Sequence, residues 1–160
     1  MNRIAVFPGS FDPFTLGHES IVNHGLKIFD KIVVAIGSNS SKKTLFSLEK
    51  RKELIYKIFD NNPRVEVGSF EGLTIDFCKQ VNANFLLRGL RTSADFEFER
   101  AIAQVNKTLW SEIETVFLLT APELSAVSST IVREVWIHKG PVRQFVPEAV
   151  ALELEKMERV

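Results

Sequence analysis

The residues best suited to chemistry fall in five short clusters. Gly9-Ser10-Phe11-Asp12 leads into Gly17-His18, and Ser38-Asn39-Ser40-Ser41 leads into Lys42-Lys43-Thr44. Glu71-Gly72-Leu73-Thr74 forms a third cluster and Arg88-Gly89-Leu90-Arg91 a fourth, while Ser128-Ser129-Thr130 with Arg133 closes the set. Hydroxyls and cations make charge-assisted hydrogen bonds to phosphate oxygens, and glycines let backbone amides come close to them. The chemistry they fit is the holding of phosphates.

Two common phosphate-binding signatures are missing. No G-x-G-x-x-G follows the first strand-like run, which argues against a dehydrogenase-type dinucleotide site. The chain has no Gly-Lys pair, so the G-x-x-x-x-G-K-[ST] loop is absent too. His18, His24 and His138 lack HExxH-like spacing, and Asp12 is the only carboxylate of the first cluster, so no protein metal cage is expected. A Mg²⁺ ion would arrive with a triphosphate and keep several of its waters.

Each cluster also has a plainer reading. Asp12-Pro13 is ordinary turn chemistry if Asp12 bonds its own backbone. His18 alone reads as a helix cap or a solvated side chain, and Lys42-Lys43 as a solvated loop. Ser128-Ser129-Thr130 reads as a helix start. Arg100 and Arg133, near Glu97, Glu99 and Glu134, read as members of weak surface pairs. Arg88 is harder to set aside. It follows Phe85-Leu86-Leu87 at the end of a buried-looking strand, where a cation is costly unless paired or facing a ligand.

The elements that must position these clusters alternate. Strand-like runs cover residues 2–9, 31–38, 64–70, 84–90 and 114–120. Helical periodicity covers 18–29, 47–59, 72–81, 93–110, 128–138 and 147–160, with Ser93 as a cap of the fourth and Pro147 in the first turn of the last. Strands alternating with helices specify βαβ units and a parallel sheet, and the continuous apolar strands require helices on both faces. The expected fold is therefore α/β, a three-layer, Rossmann-like, doubly wound sheet of five parallel strands. It forms a single domain over residues 1–160 with a C-terminal helix, and its ligand lies outside the carboxyl ends of the strands. All five clusters fall at those ends.

The totals set outer bounds. Lys+Arg and Asp+Glu number 20 each, so no bulk charge draws the chain to nucleic acid or to an anionic membrane. Cys78 is the only cysteine, which rules out an intrachain disulfide and suits a reducing, cytoplasmic setting. The early apolar run ends at Pro8, too short for a signal-peptide core, and no later run approaches the roughly 20 apolar residues of a membrane span.

The clusters together resemble a known family. GSFDPFTLGH resembles the first signature of the nucleotidylyltransferase superfamily, whose [HT]-x-G-H appears as Thr15-Leu16-Gly17-His18. VSSTIVRE resembles the second, ISST-x-x-R, from Val127 to Arg133. RGLRTSADFEFE and SKKTLFSLEKR narrow the resemblance to the bacterial phosphopantetheine adenylyltransferases, and the motifs keep their order over essentially the whole chain.

That resemblance implies transfer of AMP from ATP to 4′-phosphopantetheine, giving 3′-dephospho-CoA and pyrophosphate, with Mg²⁺. It implies that His18 contacts the α-phosphate and stabilises the transition state. Ser10 and Lys42 would orient the acceptor phosphate, with Arg88 neutralising it and Thr74 on the pantetheine side. Gly9 and Gly17 would let backbone approach phosphate, and Arg91, Ser129 and Thr130 would hold the β- and γ-phosphates. Ser10, Phe11, His18, Gly89, Leu90, Arg91, Glu99, Leu124, Ser125, Ala126, Val127, Ser128, Ser129 and Thr130 match ATP-binding positions. The family also implies a homohexamer of two trimers and feedback inhibition by CoA. This chain differs in having Leu124 and Ala126 where aromatic residues are frequent, Leu16 where Asn is, and Ser10 for Thr.

The chemistry agrees with the implied reaction. A phosphate monoester is largely ionised at neutral pH, since its second pKa is ~6, so the nucleophile needs no general base. The demand is to bring two anions in line under cations and amides. Two rivals stand beside this reading. One is another superfamily activity, cytidylyl transfer or adenylyl transfer to nicotinate mononucleotide, against which the RGLR…DFEFE block speaks. The other is a flavodoxin-like binding module, which would carry a yellow cofactor and release no pyrophosphate.

Overall fold

A computed structural model describes residues 2–39, 41–60 and 62–157. Ser40 of the second cluster and residues 158–160 of the expected last helix lie outside them. Five parallel strands form one sheet: β1 (Ile4–Gly9), β2 (Lys31–Gly37), β3 (Val65–Phe70), β4 (Phe85–Leu90) and β5 (Glu114–Leu119), in the order β3-β2-β1-β4-β5. The helices are α1 (Leu16–Gly25), α2 (Leu48–Phe59), α3 (Thr74–Gln80), α4 (Ser93–Leu109), α5 (Ser129–Ile137) and α6 (Glu148–Lys156), with a 3₁₀ turn at Pro122–Leu124.

Period-two alternation puts Ala5, Phe7, Ile32, Val34, Ile36 and Leu87 on one face of the sheet. There they pack with Ile21 and Val22 of α1 and Ile55 of α2. Val6, Val33, Ala35 and Leu86 face the other way, onto Phe77 and Cys78 of α3. A further cluster joins Val132 and Trp136 of α5 to Val150 and Leu154 of α6, and takes in Phe46 and Leu54. Helix α4 lies against β4 and β5 yet buries no residue fully.

Several boundaries differ from the sequence reading. Helix α1 starts two residues earlier, capped by Thr15, and ends at Gly25 rather than continuing to residue 29. A Cβ at Gly25 would lie 2.7 Å from Ile32 and 2.8 Å from Leu87, so the helix presses on the sheet there. Arg64 gathers the carbonyls of the turn that follows. Its Nε donates to Asp30 O at 3.0 Å and its guanidinium also donates to Phe29 O at 2.7 Å and to Leu26 O. The cap of α4 is Thr92, whose hydroxyl accepts from Asp95 N, and Ser93 is already helical. Pro147 is the cap of α6 rather than part of its first turn.

The strand order reverses between β1 and β4, and the two strands part there. They pair only at Ala5↔Phe85 and Val6↔Leu86, whereas β1 pairs with β2 through Gly9↔Ile36. Pro8 has no N–H to extend the ladder. Its carbonyl accepts instead from Arg88 Nη1 at 2.6 Å. The result is a crevice at the topological switch point, where an open α/β sheet binds its ligands.

Candidate active site

Two cavities open at this crevice, of about 210 Å³ and about 250 Å³. They share Pro8, Gly9 and Arg88 as a common wall. The first is lined by Gly17 and His18 of α1, Gly89 and Arg91 from the end of β4, and Val127, Ser128 and Ser129 leading into α5. Two helix N-termini thus converge on one space, each bringing the positive end of a dipole to an anion; in the first turn of α1 Leu16 N donates to Phe145 O and His18 N to Thr15 Oγ1, which leaves the Gly17 amide. Ser128 caps α5 by accepting from Ile131 N at 3.2 Å, and the amides of Ser129 and Thr130 precede it with no intrahelical acceptor.

His18 is held from two sides. Its Nδ1 accepts from Thr15 N at 3.0 Å, while Thr15 Oγ1 accepts from His18 N at 3.3 Å, a reciprocal capping box. The imidazole stands edge-on to Phe11, with ring centroids 5.0 Å apart, and Phe14 lies 5.3 Å away. This enclosure pushes the pKa of His18 down to about 3, burial being the largest cause and the charges of Arg88 and Arg91 adding to it. His18 is therefore neutral at working pH. Because Nδ1 accepts from an amide, the ring proton resides on Nε2, making that atom a hydrogen-bond donor.

Arg88 occupies the wall between the cavities. Its Nε and Nη2 donate to Glu99 at 2.9 Å and 2.6 Å, so the strand-end cation is paired and also faces both cavities. Glu99 lines the second cavity, not the first. Arg91 is engaged by Asp95, whose carboxylate accepts from Arg91 N at 3.0 Å and Nε at 3.3 Å. Burial works to raise the Asp95 carboxyl, but the hydrogen bonds and charge of Arg91 outweigh it and hold the group below its ordinary value.

The second cavity is lined by Ser10, Thr74 and Glu99, with the α4 residues Ile102, Ala103 and Asn106. Lys42 lines neither central cavity. It stands on a neighbouring cavity of about 300 Å³ with Ser38, Thr44 and Arg51. Phe11 is buried with φ +48°, its ring forming part of the first cavity's wall. A Cβ on Gly9 would come within 2.8 Å of that ring, so Gly9 is needed for Phe11 to fold back. Leu90 is buried, and Leu124 packs against the α5–α6 cluster. Ser125 donates to Pro122 O at 2.8 Å and Ala126 is exposed. The Thr130 hydroxyl accepts from Arg133 at 3.3 Å, and Ser129 donates to Pro13 O at 2.8 Å.

Two sequence readings are corrected here. Asp12 does not bond its own turn. Its buried carboxylate accepts from Leu45 N at 2.7 Å and Phe46 N at 2.9 Å. Arg133 does not pair with Glu134, and its Nη1 donates to Asp12 O at 2.6 Å. Asp95 and Thr120 also line the first cavity and were not singled out in the sequence. Asp95 stands four residues after Arg91, the spacing of a helical ion pair, and Thr120 directly follows β5 at the same rim.

Among the described residues no group of three or more His, Cys, Asp or Glu side chains is placed to hold a metal ion. The first cavity has one carboxylate in its described wall, Asp95, already bonded to Arg91. No described helix is long and apolar enough to cross a membrane.

The cytidylyltransferase-like family matches residues 6–135. The chain is 57% identical over 148 residues to the phosphopantetheine adenylyltransferase of Flavobacterium johnsoniae, covering 92% of this chain and 97% of that one. It is 49% identical over 150 residues to the enzyme of the same name from Bacteroides thetaiotaomicron, covering 94% and 99%. Among solved structures, a bifunctional NMN adenylyltransferase/ADP ribose pyrophosphatase from Francisella tularensis superposes with TM-score 0.75 at 18% identity, over 98% of this chain and 49% of that one. A chain from Vibrio parahaemolyticus superposes with TM-score 0.69, also at 18% identity, over 98% and 100%. These two likenesses speak to the fold. The motifs at the parted strands and the extent of the sequence match lead to one conclusion: the chain belongs to the phosphopantetheine adenylyltransferase family, within the cytidylyltransferase-like proteins.

Proposed function

We infer that this chain transfers the adenylyl group of ATP to 4′-phosphopantetheine, forming 3′-dephospho-CoA and pyrophosphate in coenzyme A synthesis. The observation that carries the reading is the wall shared by the two cavities, with Arg88 in it. ATP occupies the first cavity and the acceptor the second, so the two phosphates meet at Pro8-Gly9 and Arg88. An oxygen of the acceptor phosphate attacks the α-phosphorus. The bond from that phosphorus to the bridging oxygen breaks, and its electrons leave with pyrophosphate. Metal enters as MgATP, part of the substrate.

Each residue then has a task. The Nε2–H of neutral His18 donates to the α-phosphate oxygens, where charge builds in the transition state. Arg91, Ser129 and Thr130, with the α5 amides, receive the β- and γ-phosphates, for which the triphosphate competes with Asp95. The segment of Leu124, Ser125, Ala126, Val127 and Ser128 flanks the adenosine, beside Gly89 and Leu90. Ser10 and Thr74 hold the acceptor, Lys42 reaches its phosphate from the neighbouring cavity, and Arg88 neutralises that phosphate while Glu99 fixes the guanidinium. CoA contains both an adenylyl group and a pantetheine arm, so it suits the paired cavities as an inhibitor.

A homohexamer in the cytoplasm belongs to the same reading. In its support, α4 leaves Phe98, Ile102, Val105 and Leu109 exposed at helical spacing, and Leu119 of the edge strand β5 is 77% exposed. Pyrophosphate release is the test. ATP with 4′-phosphopantetheine is expected to give 3′-dephospho-CoA by mass, and neither CTP nor nicotinate mononucleotide is expected to replace its counterpart. Turnover with CTP alone would overturn the reading.

A further inference from the structure

We propose that Asp12 and Arg51 form a latch that positions Lys42 against Ser10, and so set the acceptor-phosphate site without touching the substrate. The proposal rests on the reading of Ser10 and Lys42 as acceptor-phosphate groups. It starts from two buried charged side chains that the reaction does not use. Asp12 is 5% exposed and Arg51 is 6% exposed. Such groups are rare in interiors unless they have partners.

Their partners make a closed circuit. The Asp12 carboxylate accepts from the amides of Leu45 and Phe46, at the end of the segment that carries Lys42. The Phe46 side chain is buried among Leu54, Val127 and Val132, which seats this point in the core. Ser47 then caps α2, and from its first turn Arg51 reaches back across the loop. Its Nη1 donates to Ser10 O at 2.7 Å. The path runs from Ser10 to Asp12, through Leu45 and Phe46, along α2 to Arg51, and back to Ser10. Arg133 and Ser129 bind the carbonyls of Asp12 and Pro13 from the nucleotide side, so the loop is held from both ends.

The two bonded groups serve one geometry. Lys42 is exposed and lines a cavity beside Ser10's, so nothing in its own packing fixes its distance from Ser10. The latch supplies that restraint. Loosening it leaves the nucleotide cavity's residues in place and lets Lys42 drift from the acceptor.

Asp12→Asn, Arg51→Lys and Arg51→Met, with Lys42→Met as the control, are compared by KM for 4′-phosphopantetheine, KM for ATP, kcat, thermal midpoint, and hydrogen exchange at the Leu45 and Phe46 amides. Asp12→Asn and Arg51→Met are expected to speed exchange at both amides and to raise the acceptor KM about tenfold, the scale of one charge-assisted hydrogen bond. The ATP KM is expected to change less than twofold. Arg51→Lys recovers part of the effect, and the double variant falls short of the product of the single effects because both act through one segment. Unchanged exchange overturns the latch. Faster exchange with an unchanged acceptor KM overturns the positioning role if Lys42→Met raises that KM. If Lys42→Met leaves it unchanged as well, the reading of Lys42 fails and the positioning role fails with it. A fall in thermal midpoint with equal shifts in both KM values also overturns it, since a purely structural role predicts that pattern.

Discussion

A histidine enclosed by Phe11 and Phe14, with an amide donating to its Nδ1, is built to remain uncharged. Its folded pKa of about 3 lies below the ordinary 6.5. For a depressed group of this kind, the stability it carries is present above pH 6.5 and is lost as pH falls from there toward 3. The slope approaches about 1.4 kcal/mol per pH unit, the value for one linked proton. Urea midpoints between pH 7 and pH 4 are therefore expected to fall more steeply in the wild type than in His18→Gln. Parallel curves would show that His18 titrates normally. By the same reasoning, kcat/KM of the wild type has no inflection from this group between pH 5 and pH 8.

Much of this scale was legible in the sequence. His18, Arg88, Ser10 and the Ser128-Ser129-Thr130 run stood out by type and place. What stayed hidden were partners distant along the chain. Asp12 binds a segment more than thirty residues away and is itself bound by Arg133, 121 positions on. A local turn was the best reading the neighbouring residues allowed for it, since no periodicity links Asp12 to either contact.

At the scale of elements, the end of β1 and the loop that leads from it to α1 are tied down by side chains from three others, β4, α2 and α5. Arg88, Arg51, Arg133 and Ser129 take the carbonyls of Pro8, Ser10, Asp12 and Pro13 in turn. Such a loop tolerates little change in its own backbone. Gly9→Ala places a methyl 2.8 Å from the Phe11 ring and is expected to cost about 1–3 kcal/mol by denaturant unfolding, as overpacking does. It should also lower activity by displacing the wall of the first cavity. Arg64→Met frees the three carbonyls of the α1–β2 turn and is expected to cost about 2 kcal/mol while leaving kcat unchanged, because Arg64 lines neither central cavity. An unstable and inactive Arg64→Met protein would mean that this turn communicates with the site. Strands and helices were legible from their periods. Their ends were not always so: the turn that follows α1 is held by Arg64, which takes the carbonyls of Leu26, Phe29 and Asp30 from more than thirty residues away, a tertiary contact that local propensity does not contain.

For the whole molecule, the sequence specified five parallel strands covered on both faces but not their order. The order matters because it places the crevice between β1 and β4, where the ladder ends at Val6↔Leu86 and Arg88 enters. Only then do four of the clusters, scattered from Gly9 to Ser129, become the walls of two joined cavities, with the Lys42 cluster on a neighbouring one. The same view exposes the outer edge of the sheet. Phe98, 70% exposed on α4, and Val105, 58% exposed, are expected to be covered in an assembly of this chain. Phe98→Asp with Val105→Asp should lower the particle mass measured by light scattering while circular dichroism stays native. An unchanged mass would exclude this face as the contact.

The central claim is that neutral His18 stabilises the phosphorus in flight between the two cavities. Its most direct test is His18→Ala, measured by kcat for pyrophosphate release with ATP and 4′-phosphopantetheine, alongside the dissociation constant for ATP. A donor acting mainly in the transition state predicts a fall in kcat of about 10²–10³-fold with an ATP dissociation constant altered only a few-fold. A fully active His18→Ala enzyme, or one whose lost activity is matched by lost ATP binding, would contradict it.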